Sequence, residues 1–510
     1  MIYSQKTTCF YIDIFDANIL FRQSIYSNFP FSPLMFLPIL IIALAAGLYM
    51  AWGIGANDFA NSMSSAVGAR ALTYRQVIVL GAIMEFTGAV FVGSHVTDTV
   101  RKGIIDPEVI GDAHILAIGA LAALISAAIW LTISSWKELP VSTTHSIVGG
   151  LWGVGMVYFF MSGKDPISWG TIGKVTLSWL LSPIAGAIIA YFVFKGIVKI
   201  IFQSDRPLER TKLYGPLIIG ATAFIISLSL LMKTNLGKMV LGTEDDIISP
   251  VIIGIFAFLN GYFFSRIAVR TSLLREDIRK RTYIIAFALL FSSTIFSLYL
   301  TPIGKNVDFP YWISIATIMG FIGVLLSYIL TGRKKLVEGS EIDRIEEMFR
   351  KLQIATSCYV AFAHGANDVA NASGPMAAAI NYALTGSLGA KVPVPTWLLA
   401  LAAFGIVLGV ATWGYKVIKT VGFKITRLTN TRGFSVDFGT ATTVLVASKL
   451  GMPISTTHTV VGAVIGVGLA RGLEAVDLKV IKNIIISWAI TLPVAAITSA
   501  GIFLLLMGVL

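Results

Sequence analysis

The sequence predicts an all-α, polytopic membrane protein, and three observations carry that prediction. Charged residues make up 13% of the 510 residues, against ~25% in an ordinary soluble chain. Hydrophobic residues make up 56%, and the mean hydropathy is +0.81. The apolar residues are also gathered into long stretches of membrane-crossing length. A soluble fold of this length needs a charged surface that these residues do not supply, and a chain this apolar is not disordered. Cys9 and Cys358 lie far apart and suggest neither a disulfide framework nor a metal cluster.

A helix crosses ~30 Å of hydrocarbon in about 20 residues. Stretches of that kind lie near 35–54, 76–96, 113–135, 141–161, 172–202, 213–232, 249–266, 282–301, 311–331, 352–363, 396–418, 436–472 and 480–509. Two are irregular. The stretch at 352 runs into polar residues, and the one at 436 is interrupted by Gly451, Pro453 and a Ser-Thr-Thr run. About 12 transmembrane helices are therefore expected. Residues 1–34 lack a basic segment followed by an apolar core, so they resemble no secretory signal. Met35 opens the first clean span, and the expectation is that 1–34 is an atypical extension with Met35 as the native start.

The net charge of +12 and the isoelectric point near 9.5 need to be read by position. Lys and Arg in short loops stay cytoplasmic. Basic residues crowd into 203–212, 266–281 and 333–351, whereas 233–248 and 302–310 hold only Lys233, Lys238 and Lys305. Rich and poor loops alternate, as a multi-span chain requires. The basic balance is thus an orientation signal and not a nucleic-acid patch. Residues 333–351 read as a charged, helical cytoplasmic linker.

An internal duplication organises the rest. Residues 55–61 read GANDFAN and 365–371 read GANDVAN; residues 140–155 read PVSTTHSIVGGLWGVG and 453–468 read PISTTHTVVGAVIGVG. A weaker match, GSHVTDTV at 93–100 against GYKVIKTV at 414–421, continues the alignment. The expected division is an extension at 1–34, a first repeat at 35–202, intervening spans at 203–332, the linker at 333–351 and a second repeat at 352–510.

Lipid supplies no hydrogen bonds, so Asn and Asp at bilayer depth demand internal partners. On a helix, Asp58 and Asn61 share a face, as do Asp368 and Asn371. A carboxylate beside an amide carbonyl is a hard oxygen pair suited to a small cation. Helix packing alone would account for one such residue, but paired polar breaks in matching repeats are a transporter signature. Pro140 and Pro453 suit the first turn of a half-helix, whose free N–H groups and dipole favour an anion. Ser142, Thr143, Thr144, Ser455, Thr456 and Thr457 add hydroxyls there. Gly149 with Gly153, and Gly462 with Gly466, read as small faces for close packing. His145 and His458 read as packing or capping groups, with proton coupling as the sharper alternative. His364 has Ile54 as its repeat counterpart and falls outside the duplicated set. No nucleotide loop, catalytic constellation or His/Cys metal spacing is present in the sequence.

These motifs resemble the inorganic phosphate transporter family of sodium/phosphate symporters and proton-linked permeases. Further matching segments are MEFTGAVFVG at 84–93, TVRKGIID at 99–106 and GFSVDFGTA at 433–441. The resemblance covers about 40–205 and 350–505. It implies about twelve spans, two inverted repeats with discontinuous half-helices, and one substrate site shared between them. It further implies phosphate contacts from Ser142, Thr143, Thr144, Ser455, Thr456 and Thr457 with Asn57 and Asn367, and driving cations held by Asp58, Asn61, Asp368 and Asn371. Glu85 and Asp437 stand where the family places important carboxylates, although many members carry Glu at the latter position.

The functional expectation is a secondary transporter of the cell membrane that imports inorganic phosphate with Na+, and is not an enzyme. Proton coupling, a sulfate permease and an anion channel are the alternatives. Sulfate at neutral pH carries no proton to donate to a carboxylate, which favours phosphate. No cofactor is expected beyond the coupling ion, and the partners are phosphate, Na+ or H+ and the bilayer, with no nucleic acid. A homo-oligomer is compatible with all of these features.

Overall fold

The computed structural model describes residues 33–93, 104–233, 248–271, 309–331, 340–387, 394–449 and 454–510, together with Phe287, Phe291 and Thr294. Residues 1–32 of the proposed extension, Pro453 and most of 93–100 fall outside the described residues, and 33–34 already belong to the first helix. The first repeat runs α1 (Pro33–Ile54), a π-helical turn (Gly55–Phe59), α2 (Ala60–Gly68), α3 (Tyr74–Val92), α4 (Pro107–Ile110), α5 (Ala113–Trp136), α6 (Thr143–Ser162) and α7 (Trp169–Ile197). Between the repeats lie α8 (Pro207–Lys233), α9 (Ile248–Thr271) and α10 (Phe309–Thr331). The second repeat runs α11 (Glu341–Thr385), α12 (Thr396–Thr412), α13 (Gly414–Lys419), a π-helical turn (Thr420–Lys424), α14 (Asn430–Lys449), α15 (Thr456–Leu469) and α16 (Leu478–Val509).

Among the described residues there is no strand, only one isolated bridge between Ile105 and Ile167. Six helical segments there are long and apolar enough to cross a membrane, and the pair Thr396–Thr412 and Gly414–Lys424, bent by 57°, makes a seventh. The protein is an all-α, polytopic integral membrane protein.

Helix α7 shows how the sequence sorts lipid from protein. Leu177, Leu181, Ile184, Ile188 and Phe192 are exposed along one face. Ser178, Ser182, Gly186 and Ala190 form a buried stripe of small residues at four-residue spacing. Lipid tails are as apolar as leucine, so helix association in a bilayer relies on close contact between small residues. α15 packs on that stripe: a Cβ on Gly462 would lie 2.1 Å from the carbonyl oxygen of Pro183, and one on Gly466 2.1 Å from that of Ala187. The matching face of α6 meets α16 in the same way, with Gly149 against Leu492 and Gly153 against Ala496.

This exchange of partners is reciprocal throughout. Gly55 packs against the Ile406 carbonyl, and Gly409 against that of Trp52. The repeat counterparts do the same, Gly365 against Glu85 and Gly88 against Phe362. Such mutual pairing is the mark of a two-fold relation. The duplicated helices also run in opposite directions. α1 and α2 lead down to Ala71, whose carbonyl accepts from Arg350 Nε at 3.1 Å near the start of α11. α11 begins at the charged linker and climbs back through the second GAND motif. It is a single helix of 45 residues, so the apolar stretch near 352 is the middle of a longer element. Ser340 opens it with a capping box to Asp343.

Candidate functional site

The two GAND motifs meet the two STTH motifs at the centre of the repeats. In the first repeat the GAND residues form a π-helical turn, Gly55–Phe59, an irregularity that inserts one residue into the helix and is frequent at functional sites. The second copy lies in regular helix within α11. α6 and α15 start abruptly here. Ser142 caps α6 by accepting from His145 N at 3.3 Å, and Ser455 caps α15 by accepting from His458 N at 3.2 Å. α6 therefore starts later than a first-turn Pro140 would require. Its first helical residue is Thr143, because the serine hydroxyl, and not the proline ring, satisfies the helix end.

Asp58 occupies that end. Its Oδ2 accepts from Thr143 N at 3.2 Å and Thr143 Oγ1 at 2.6 Å, and its Oδ1 accepts from Thr457 Oγ1 of the other half-helix. One carboxylate thus ties both half-helices together, filling the place at the α6 start where the sequence suggested an external anion. The asparagines cross over reciprocally. Asn61 Nδ2 donates to Thr457 Oγ1 at 2.9 Å. Asn371 Nδ2 reaches Thr143 Oγ1 and Thr144 Oγ1, each at 3.2 Å, and Asp368 Oδ1 at 3.5 Å. Thr143 and Thr457 are buried, whereas Thr144, Thr456 and Asn367 are partly exposed.

The structure brings Asp58, Asn61, Asp368, Asn371, Thr143, Thr144 and Thr457 to one centre. Asn57 stands behind it. Asn57 Nδ2 donates to Ser135 Oγ and the Leu139 carbonyl, each at 3.0 Å, and its Oδ1 accepts from Val141 N at 2.9 Å. These bonds clamp the loop that delivers α6. Asp437 also lies apart, accepting from Ser65 Oγ at 2.6 Å, Ser357 Oγ at 2.5 Å and Thr356 Oγ1 at 3.3 Å. Ser65 is seven residues beyond Asp58, ~10 Å along a helix, so this buried cluster sits toward the start of α11, where Ser357 and Thr356 lie.

His364 is the residue that sequence reasoning set aside. Its Nδ1 lies 2.8 Å from Glu85 Oε1, and its Nε2 lies 2.8 Å from Asp368 Oδ2, at an angle outside hydrogen-bond geometry. One ligand atom each from Asp58, His364 and Asp368 falls within 4.8 Å of the others. The repeat alignment pairs His364 with Ile54 and Glu85 with Ile406, both fully buried. The second pairing follows from the offset of 321 between Gly93 and Gly414, and the Gly88 and Gly409 contacts bear it out. The two halves of the centre are therefore chemically unequal. The available signal was a histidine one residue before a duplicated polar motif.

The donor set suits a small hard cation. Asn61 Oδ1 is buried and has no partner among the described residues. An orphaned acceptor beside two carboxylates is what an oxygen-coordinated ion would satisfy. Among the described residues, the ion pairs at this centre involve only His364, with no Lys or Arg.

Two inverted repeats, broken helices and a polar centre between them are features seen in many membrane transporters. A model described as the phosphate transporter family matches residues 54–499. The chain is 46% identical over 469 residues, covering 92% of this chain and 98% of the relative, to a protein of Pyrococcus abyssi provisionally named a phosphate permease. It is 37% identical over 456 residues to the chloroplastic inorganic phosphate transporter 2-1 of Arabidopsis thaliana, covering 89% of this chain and 70% of that one. A solved structure titled the sodium-dependent phosphate transporter is similar with a TM-score of 0.71 and 40% identity, covering 93% of this chain and 100% of that one. The chain belongs to the phosphate transporter family, a family of transporters and not of enzymes.

Proposed function

We propose that the chain imports inorganic phosphate across the cell membrane by symport with Na+. The observation that carries this reading is the double use of Asp58. Its carboxylate holds the Thr143 N–H, the Thr143 hydroxyl and the Thr457 hydroxyl, donors that a tetrahedral oxyanion would otherwise use. Phosphate and an uncompensated Asp58 would compete for the same groups and repel each other in a low-dielectric site. A cation on Asp58 and Asn61 draws the carboxylate off the helix ends and cancels its charge, which frees the threonines for phosphate. A second cation would sit at Asp368 and Asn371. Thr144, Thr456 and Asn367, being partly exposed, are positioned to meet the incoming anion. Symport follows because neither ligand binds well alone.

The sodium-dependent neighbour supports Na+, as does the orphaned Asn61 oxygen. Proton coupling is the second reading, and the contact of His364 with Glu85 and Asp368 is the observation in its favour. Purified protein in liposomes should accumulate labelled phosphate against its gradient when an inward Na+ gradient is imposed, with sulfate competing poorly. Uptake driven by a proton gradient alone would move the assignment to the second reading. Absence of uptake under either gradient would defeat both.

A further inference from the structure

The two STTH histidines touch each other. His145 and His458 are repeat counterparts, and their ring centroids lie 4.8 Å apart at 69°. His145 also meets Trp179 at 4.8 Å, and His458 stacks on Trp488 at 3.9 Å and 24°. Trp179 and Trp488 are counterparts too, each following a serine ahead of a proline in the last helix of its repeat. Four rings thus form a column, Trp179–His145–His458–Trp488, across the two-fold relation between the repeats. Both histidines are buried, and the His458 nitrogens make no hydrogen bond of good geometry among the described residues. The ring bodies, not the nitrogens of His458, make the contact.

We propose that this column is the spacer that sets the separation of the two half-helix starts, and with it the size of oxyanion the centre admits. The inference rests on the transport reading above. Each histidine occupies the same helical turn as its capping serine and threonines, because its own N–H donates to that serine. Moving a ring therefore moves the hydroxyls. Rings in edge contact resist further approach, so the column limits how closely α6 and α15 converge. Trp488 limits their separation as well: it stacks on His458 of the second repeat while its Nε1 donates at 2.9 Å to the carbonyl of Pro140, ahead of the first-repeat half-helix. His145, His458 and Trp488 are positioning residues and touch no transported ion.

The test is phosphate uptake by the full chain in liposomes, with arsenate as the larger tetrahedral competitor. The parent protein is measured first, since lack of uptake there would refute the transport reading and not the spacer. His145→Ala and His458→Ala should raise the phosphate KM by about tenfold or more while the maximal rate changes far less, since misplaced binding groups cost binding. The arsenate-to-phosphate KM ratio should shift toward the larger anion. His145→Phe and His458→Phe keep a ring and should restore parent-like values of both. Trp488→Phe keeps the stack, loses the Pro140 bond and should fall between. Phenylalanine variants as impaired as the alanine ones would overturn the proposal by showing that the nitrogens matter. Alanine variants with parent KM and parent anion ratio would overturn it by showing passive packing. If the alanine variants do not fold, a parent-like KM in Trp488→Phe overturns it.

Discussion

At the scale of residues, the duplicated motifs were legible because polar groups at bilayer depth stand out against a chain with 13% charge. What each side chain does was less legible. Asn57 and Asn61 look alike in sequence, yet Asn57 clamps the loop before α6 while Asn61 reaches the other half-helix. Asp58→Asn and Asp368→Asn should each raise the Na+ concentration for half-maximal uptake by about ten- to a hundredfold, the scale of one lost charged contact. Thr144→Val should leave Na+ dependence nearly intact and raise the phosphate KM by about three- to tenfold, the scale of one neutral hydrogen bond. Titrations of uptake with each ligand check both. Unchanged transport in both sets would remove the site from this centre.

At the scale of elements, the glycine pairs read as packing faces from sequence, and the close carbonyl approaches bear that out. The first glycine of each GAND motif was not singled out as one of them, although Gly55 and Gly365 both sit under a neighbouring backbone. Gly466→Val should lower the melting temperature in detergent by more than a lipid-facing change, since overpacking costs about 1–3 kcal/mol. Gly501→Ala, with nothing within 4 Å of the added carbon, is the control that should be neutral or slightly stabilising.

Charge at an element end is a separate case. Glu138, just before α6, pairs with Lys424 in the π-helical turn after α13, and this bond holds its carboxyl below the usual range. A depressed folded value contributes stability above the unfolded value of about 4.3 and loses it as pH falls through the folded one. Glu138→Gln should therefore lower the melting temperature slightly at pH 7 and make a smaller difference as the pH falls toward 3. An equal effect at both pH values would mean that the pairing is not what the residue contributes.

At the scale of the whole molecule, the proposed symport, with one centre built from both repeats, would make phosphate and cation binding a single linked equilibrium. Saturating Na+ should strengthen phosphate binding to the detergent-solubilised protein by the same factor that saturating phosphate strengthens Na+ binding. Calorimetric titrations in both orders measure the two factors, and a factor near one in either order would break the proposed coupling. The inequality between halves adds a specific expectation. Replacing His364 and Glu85 together with isoleucine copies the Ile54 and Ile406 pairing, and should alter Na+ dependence more than it alters folding.

The amino-acid sequence by itself determined the all-helical membrane class, the duplication and the polar residues at its core. Hydropathy and the bilayer's lack of hydrogen bonds constrain those features segment by segment. Only the tertiary structure decided which of those residues share a centre and which stand behind it. It also decided that His364, absent from the duplication, meets Glu85 of another helix, and that the two STTH histidines face each other. Such pairings join residues roughly 280 to 400 positions apart through helix crossings set by small residues on both partners. A crossing of that kind depends on two surfaces at once, so no local pattern along one helix contains it.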